Sequence, residues 1–134
     1  MRRAAKIAGI LGVSALLGGC STFDHIEFSF GSTPPLAAVV SYDEIRVSEG
    51  VAVVTLATPM SSQGVMSSDT QVDLKSADPS VLGVAFAQPS ERRESEGSSW
   101  TFVLLGSSVG NTTVSVRVDG VDEKQIPAIV DAQQ

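Results

Sequence analysis

The chain has 134 residues, 43% hydrophobic but only 5% aromatic, with nine basic and fifteen acidic side chains and a net charge of −6. That length suits one domain of ordinary size and is too short for two. The acidic balance disfavours nucleic acid and unaided binding to anionic lipid, both of which need clustered basic residues to displace counterions. The single cysteine excludes a disulfide within the chain.

The first element is an export signal. Arg2, Arg3 and Lys6 form a positive head, and Ile7 to Leu17 are apolar or small throughout. As a helix this stretch is about 16 Å long at 1.5 Å per residue, roughly half of a ~30 Å hydrocarbon core, so it is too short for a stable span. Removing residues 1–19 leaves 115 residues and takes away three basic groups and no acidic one, so the mature chain carries −9.

The segment ends in Leu17-Gly18-Gly19-Cys20, which resembles the lipobox of bacterial lipoproteins. The resemblance implies cleavage before Cys20, with diacylglycerol on its thiol and an acyl chain on the new amine. One acyl chain anchors marginally and two anchor stably, so the implied partner of Cys20 is a membrane. Residue 21 is Ser, whereas in the enterobacterial family an Asp there resembles an inner-membrane retention signal, so the outer membrane is the favoured address.

Residues 20–35 are expected to form the lipidated Cys and a tether. Ser21 to Asp24 has tether composition, but Ile26, Phe28 and Phe30 alternate with Glu27 and Ser29, which is equally the pattern of a short strand docking on the domain. Residues 36–134 are expected to form an immunoglobulin-like, antiparallel, all-β sandwich. Short apolar runs separated by turn residues predict strands near 37–41, 44–48, 51–57, 71–76, 81–87, 100–105, 112–118 and 125–130. The clearest is 112–118, where Val114, Val116 and Val118 share one face and Thr113, Ser115 and Arg117 the other. Thr58 to Thr70 is expected to be irregular, with room for one helical turn, and Asp119-Gly120 to be a tight turn.

Two passages resemble the bacterial immunoglobulin-like domains of intimin- and invasin-type surface proteins. Ser76-Ala77-Asp78-Pro79-Ser80-Val81 is similar to that family's S-x-D-P-S-V turn, and Gly110-Asn111-Thr112-Thr113-Val114-Ser115-Val116 to its G-x-T-x-I-x-V strand. The resemblance covers about Ile45 to Val130 and implies a spacer, stalk or adhesion module without a common active site. This chain departs from the family between the two passages, where Gln88 to Ser99 forms a long charged insertion ahead of Trp100.

Candidate chemistry is sparse. Gly106-Ser107-Ser108-Val109-Gly110 matches G-x-S-x-G, but a strand follows it and the single His, His25, precedes it, so the nucleophile elbow lacks its context. His25 beside Asp24 and Glu27 lacks enough further ligands for zinc. Asp119, Asp122 and Glu123 lack the spacing of an EF-hand loop, and Met60 and Met66 suit packing better than metal. No catalytic residue, metal site or cofactor is expected.

Trp100 alternates with Phe102 and Leu104 onto one strand face, which suits the core, with sugar or peptide stacking as the functional option. Long loops on rigid scaffolds are where recognition concentrates, so Glu91, Arg92, Arg93, Glu94 and Glu96, together with Trp100, are the candidate contact with an envelope protein or glycan. The expected function is a non-catalytic, lipid-anchored binding or structural module of the cell envelope. The alternative is a periplasmic accessory subunit or inhibitor docking on an envelope enzyme or secretion machine.

Overall fold

A computed structural model describes residues 22–87 and 99–133. Cys20, with Leu17, Gly18 and Gly19 before it, and Glu91, Arg92, Arg93, Glu94 and Glu96 lie outside the described residues. Among the described residues ten strands form in chain order: β1 Phe23–Phe30, β2 Val39–Val40, β3 Ile45–Ser48, β4 Ala52–Ser61, β5 Gly64–Val65, β6 Val72–Ser76, β7 Leu82–Ala87, β8 Trp100–Gly106, β9 Gly110–Val118 and β10 Val121–Asp131. Among the described residues there is no helix.

The strands make a two-sheet sandwich. One sheet runs β1-β4-β8-β7, with β5 also on β4, and the other runs β2-β3-β10-β9-β6. All pairs are antiparallel except β3 with β10, where Ala128 to Asp131 lie parallel to Ile45 to Ser48. The expected antiparallel pattern is corrected there: β3 feeds β4 of the opposite sheet rather than turning back on a hairpin partner, which leaves it free to run alongside β10.

Period-two alternation builds the core. In β9, Val114, Val116 and Val118 are buried and Arg117 is exposed, as the sequence pattern requires. Ile45, Val47, Leu74, Ile126 and Val130 join them from the same sheet and meet Val53, Leu82, Phe102 and Leu104 from the other. Thr55 is fully buried in this apolar layer, and its hydroxyl is satisfied by donating to the Ser29 carbonyl at 3.0 Å.

Of the two readings open for the segment before residue 36, the strand is the one that forms. β1 pairs with β4 from Phe23 opposite Ser61 to Phe30 opposite Thr55, and Ile26 is 2% exposed. The packed unit therefore begins at Phe23, ahead of the expected boundary at 36, because alternation puts Ile26 on the inner face of a sheet that would otherwise end at β4.

The expectation for 58–70 is likewise corrected. β4 continues to Ser61 and turns back into β5. Pro59 is tolerated inside β4 because β8 has already ended on that flank, opposite Ala57. The Pro59 carbonyl instead accepts from the Met66 amide at 3.0 Å.

At the opposite end of the sandwich, Gly106 lets two segments cross. A Cβ there would lie 2.5 Å from the Ser48 carbonyl oxygen. The β9–β10 hairpin closes as expected through Asp119 at φ 51° and Gly120 at φ 82°, the left-handed pair of a two-residue turn.

Candidate functional site

Trp100 opens β8 on the inner face of its sheet, with Phe102 and Leu104 following on the same face. Its ring is half-buried and packs on the edge of the core, so the core expectation holds for its body. Its indole N–H donates to the Thr70 carbonyl at 2.9 Å, tying β8 to the segment that leads into β6 of the other sheet.

Phe86 stands beside it. Its centroid is 5.7 Å from that of Trp100 and 5.6 Å from that of Phe102, both tilted contacts within the favourable range for aromatic pairs. Among the described residues β7 is the last strand of its sheet, and Phe86 is 48% exposed. These three rings line a cleft of about 360 Å³ where the two sheets part, together with Gln71, Val72, Asp73, Arg117 and Gly120.

The polar lining is held in place by the hairpin tip. Asp119 accepts from the Gln71 amide at 2.8 Å through Oδ1, and its own amide donates to the Gln71 carbonyl at 2.9 Å. Arg117 pairs with Asp122 at 2.8 Å. The result is an apolar, aromatic floor with one acidic and one basic side chain in the lining, suited to stacking and hydrogen bonding and holding no nucleophile. Phe86 is the residue that sequence reasoning missed. Its alternation with Leu82 and Val84 marks the inner face, but only the register with Phe102 reveals the ring cluster.

The remaining candidates are dispersed. The Ser108 hydroxyl donates to the Ser80 carbonyl at 2.7 Å on a loop between two strands, so the G-x-S-x-G match is not a nucleophile elbow. His25 is on β1 at the other end of the sandwich, bonded to Asp24 at 2.7 Å. Asp119 and Asp122 are engaged as above, and among the described residues no three His, Cys, Asp or Glu gather as metal ligands.

Asp78 orders the S-x-D-P-S-V turn: its Oδ1 accepts from the Ser80 amide at 3.0 Å, and its amide donates to the Ser76 hydroxyl at 3.2 Å. That is a local structural device, with no reactive group in it.

Two further surface clusters carry charge. Near Phe23, the Tyr42 ring meets Phe23 edge-on at 6.3 Å, and Lys124 sits 4.4 Å above it while pairing with Asp43 at 2.9 Å. Burial, then the nearby Glu123 and Asp24 charges, raise the Tyr42 phenol above its ordinary 10.0. Beside β3, Arg46 bonds Asp131 at 2.8 Å and approaches Glu44 at 3.6 Å in a shallow cleft of about 580 Å³. The Asp131 hydrogen bond raises the Arg46 guanidinium further above its ordinary value. Both clusters are exposed ion pairs of the kind that contribute little to stability.

No family model matches the sequence, and no curated protein matches it. The fold has counterparts among solved structures. Domains 1–6 of the surface layer protein SbsC align with a TM-score of 0.54 and 17% identity over 86% of this chain and 14% of that one. Domains 4 and 5 of the S-layer protein SbsC align with a TM-score of 0.53 and 18% identity over 75% of this chain and 54% of that one. Domains 4–9 align with a TM-score of 0.55 and 18% identity, over 76% and 15%. This chain spans only a small part of the longest of these proteins. At such identities the likeness is one of fold: the chain is an all-β, two-sheet sandwich similar to domains of a surface layer protein.

Proposed function

We propose that the chain is a structural and contact module of the bacterial cell envelope, lipid-anchored at Cys20, that works without catalysis. The observation that carries this reading is the likeness of its sandwich to surface layer protein domains at TM-scores of 0.53 to 0.55. The Leu17-Gly18-Gly19-Cys20 motif behind a positive head and apolar stretch supports the anchor. The S-x-D-P-S-V and G-x-T-x-I-x-V passages support an immunoglobulin-like module of the intimin and invasin type.

Contact with an envelope protein or glycan is proposed at Trp100 and its cleft, with Glu91, Arg92, Arg93, Glu94 and Glu96 of the preceding segment contributing charge. Support comes from the exposed Phe86 ring beside Trp100 and from the habit of rigid sandwiches to recognise partners beside their loops. The absence of a serine elbow at Ser108 supports the non-enzymatic reading.

Fractionation of the producing cells tests it. Wild type should sediment with envelope membranes, while Cys20→Ser should accumulate at uncleaved length without lipid, because a hydroxyl does not replace the thiol in thioether formation. A freely soluble wild-type protein, or a hydrolase activity abolished by Ser108→Ala, would contradict the proposal.

A further inference from the structure

We propose that the sandwich is held end-on to the membrane, with the Phe23 end against the lipid headgroups and the end formed by Ser48–Gly50 and Ser107–Gly110 pointing away. This rests on the lipid anchor at Cys20. Its starting point is the length of the connection. β1 begins at Phe23, so only Ser21 and Thr22 separate the anchor from a fixed strand, a reach of about 10 Å at ~3.3 Å per residue.

Phe23 is not a loose end. It pairs with Ser61 on β4, and its ring packs against Tyr42 at 6.3 Å. Three residues on, Ile26 is locked in the core. A tether of 15 residues would let the domain tumble through tens of ångströms, whereas two residues on a packed strand do not.

The same end carries the β4–β5 turn and the region of the β9–β10 tip. Val65 and Val121 put exposed apolar surface there, 56% and 57% accessible, and contact with the bilayer interface is favourable for such groups. From Val121, β10 runs away from this end to Asp131, roughly 33 Å at ~3.3 Å per residue.

At the far end, Glu49 bonds the Asp131 carbonyl, Gly50 bonds the Gly106 carbonyl, and Val109 is 54% exposed. Charge does not choose the orientation, since the mature chain carries −9 and Asp24, Asp122 and Glu123 lie at the Phe23 end itself; the short connection to a packed strand holds that end at the membrane. The far end therefore points away from the membrane, while the Trp100 cleft, lined in part by Gly120 of the β9–β10 tip, lies toward it, so the proposed envelope contact is made close to the membrane.

Collisional quenching in vesicles of phosphatidylethanolamine and phosphatidylglycerol, doped with headgroup-nitroxide lipid, reads this directly. The full lipidated protein is labelled at an added thiol, Gln63→Cys near the anchor or Val109→Cys at the far end, Cys20 being blocked as a thioether. The Gln63→Cys label should be quenched severalfold more strongly than the Val109→Cys label, and a long Gly/Ser linker inserted after Thr22 should bring the two together. Equal or reversed quenching in a protein that floats with the vesicles and carries acylated Cys20 would overturn the orientation alone. A protein that does not float, with a free Cys20 thiol, would overturn the anchor and the orientation with it.

Discussion

The indole N–H of Trp100 donates to the Thr70 carbonyl across 2.9 Å, joining the first residue of β8 to the segment that leads into β6 of the opposite sheet. The link crosses between the sheets at the edge of an apolar interior, beside the cleft that Trp100 lines. Trp100→Phe should cost about 1–2 kcal/mol through the lost hydrogen bond and an unsatisfied carbonyl. Trp100→Ala should cost about 3 kcal/mol by adding a packing defect. Urea unfolding measures both, and an unchanged midpoint for Trp100→Phe would show that the link carries no stability.

Neighbouring residues on β9 offer a sharper contrast. Val116 is fully buried, whereas Arg117 is half-exposed and pairs with an exposed Asp122. Val116→Asp should destabilise by about 4 kcal/mol or more, because an unpaired carboxylate would enter the core. Arg117→Ser should cost under about 0.5 kcal/mol. Similar unfolding midpoints for the two variants would contradict the strand's facing.

β1 is an integral strand, which makes a prediction about truncation. A fragment beginning at residue 36 loses Ile26 and exposes the flank of β4 that β1 covers. It should show a Tm well below that of a fragment beginning at residue 22, or fail to fold, with circular dichroism as the readout. Equal Tm values would return β1 to the status of a tether.

Alternation made the central strands legible: β9 was readable from Val114, Val116 and Val118 alone, and the Asp119-Gly120 turn from its chemistry. What escaped sequence reasoning was long-range pairing. Nothing local to Ile26 states that it lies opposite Pro59, and nothing near Phe86 states that Phe102 and Trp100 complete a ring cluster around it. β4 overran its expected end at Ala57 because Thr58-Pro59-Met60-Ser61 lacks apolar alternation, while β1 and β5 supply partners on both flanks. The parallel β3–β10 pair was equally silent, since strand patterning carries no sign of direction.

The crossing at Gly106 is testable by one methyl group. Gly106→Ala places carbon 2.5 Å from the Ser48 carbonyl oxygen and 3.1 Å from Val130 Cγ1, and backbone cannot swing aside as a flexible side chain would. A loss of about 3 kcal/mol is expected. Gly120→Ala meets open space but a φ of +82°, so about 1 kcal/mol is expected there. A smaller loss at 106 than at 120 would show that the two segments separate easily.

The claim on which the functional account turns is the anchor, and intact-mass and peptide mass spectrometry of the mature protein from its own envelope measures it. The expected result is an N-terminus at Cys20 carrying thioether-linked diacylglycerol and an amide-linked acyl chain. A mature chain that begins at another residue, with Cys20 absent or unmodified, would contradict it.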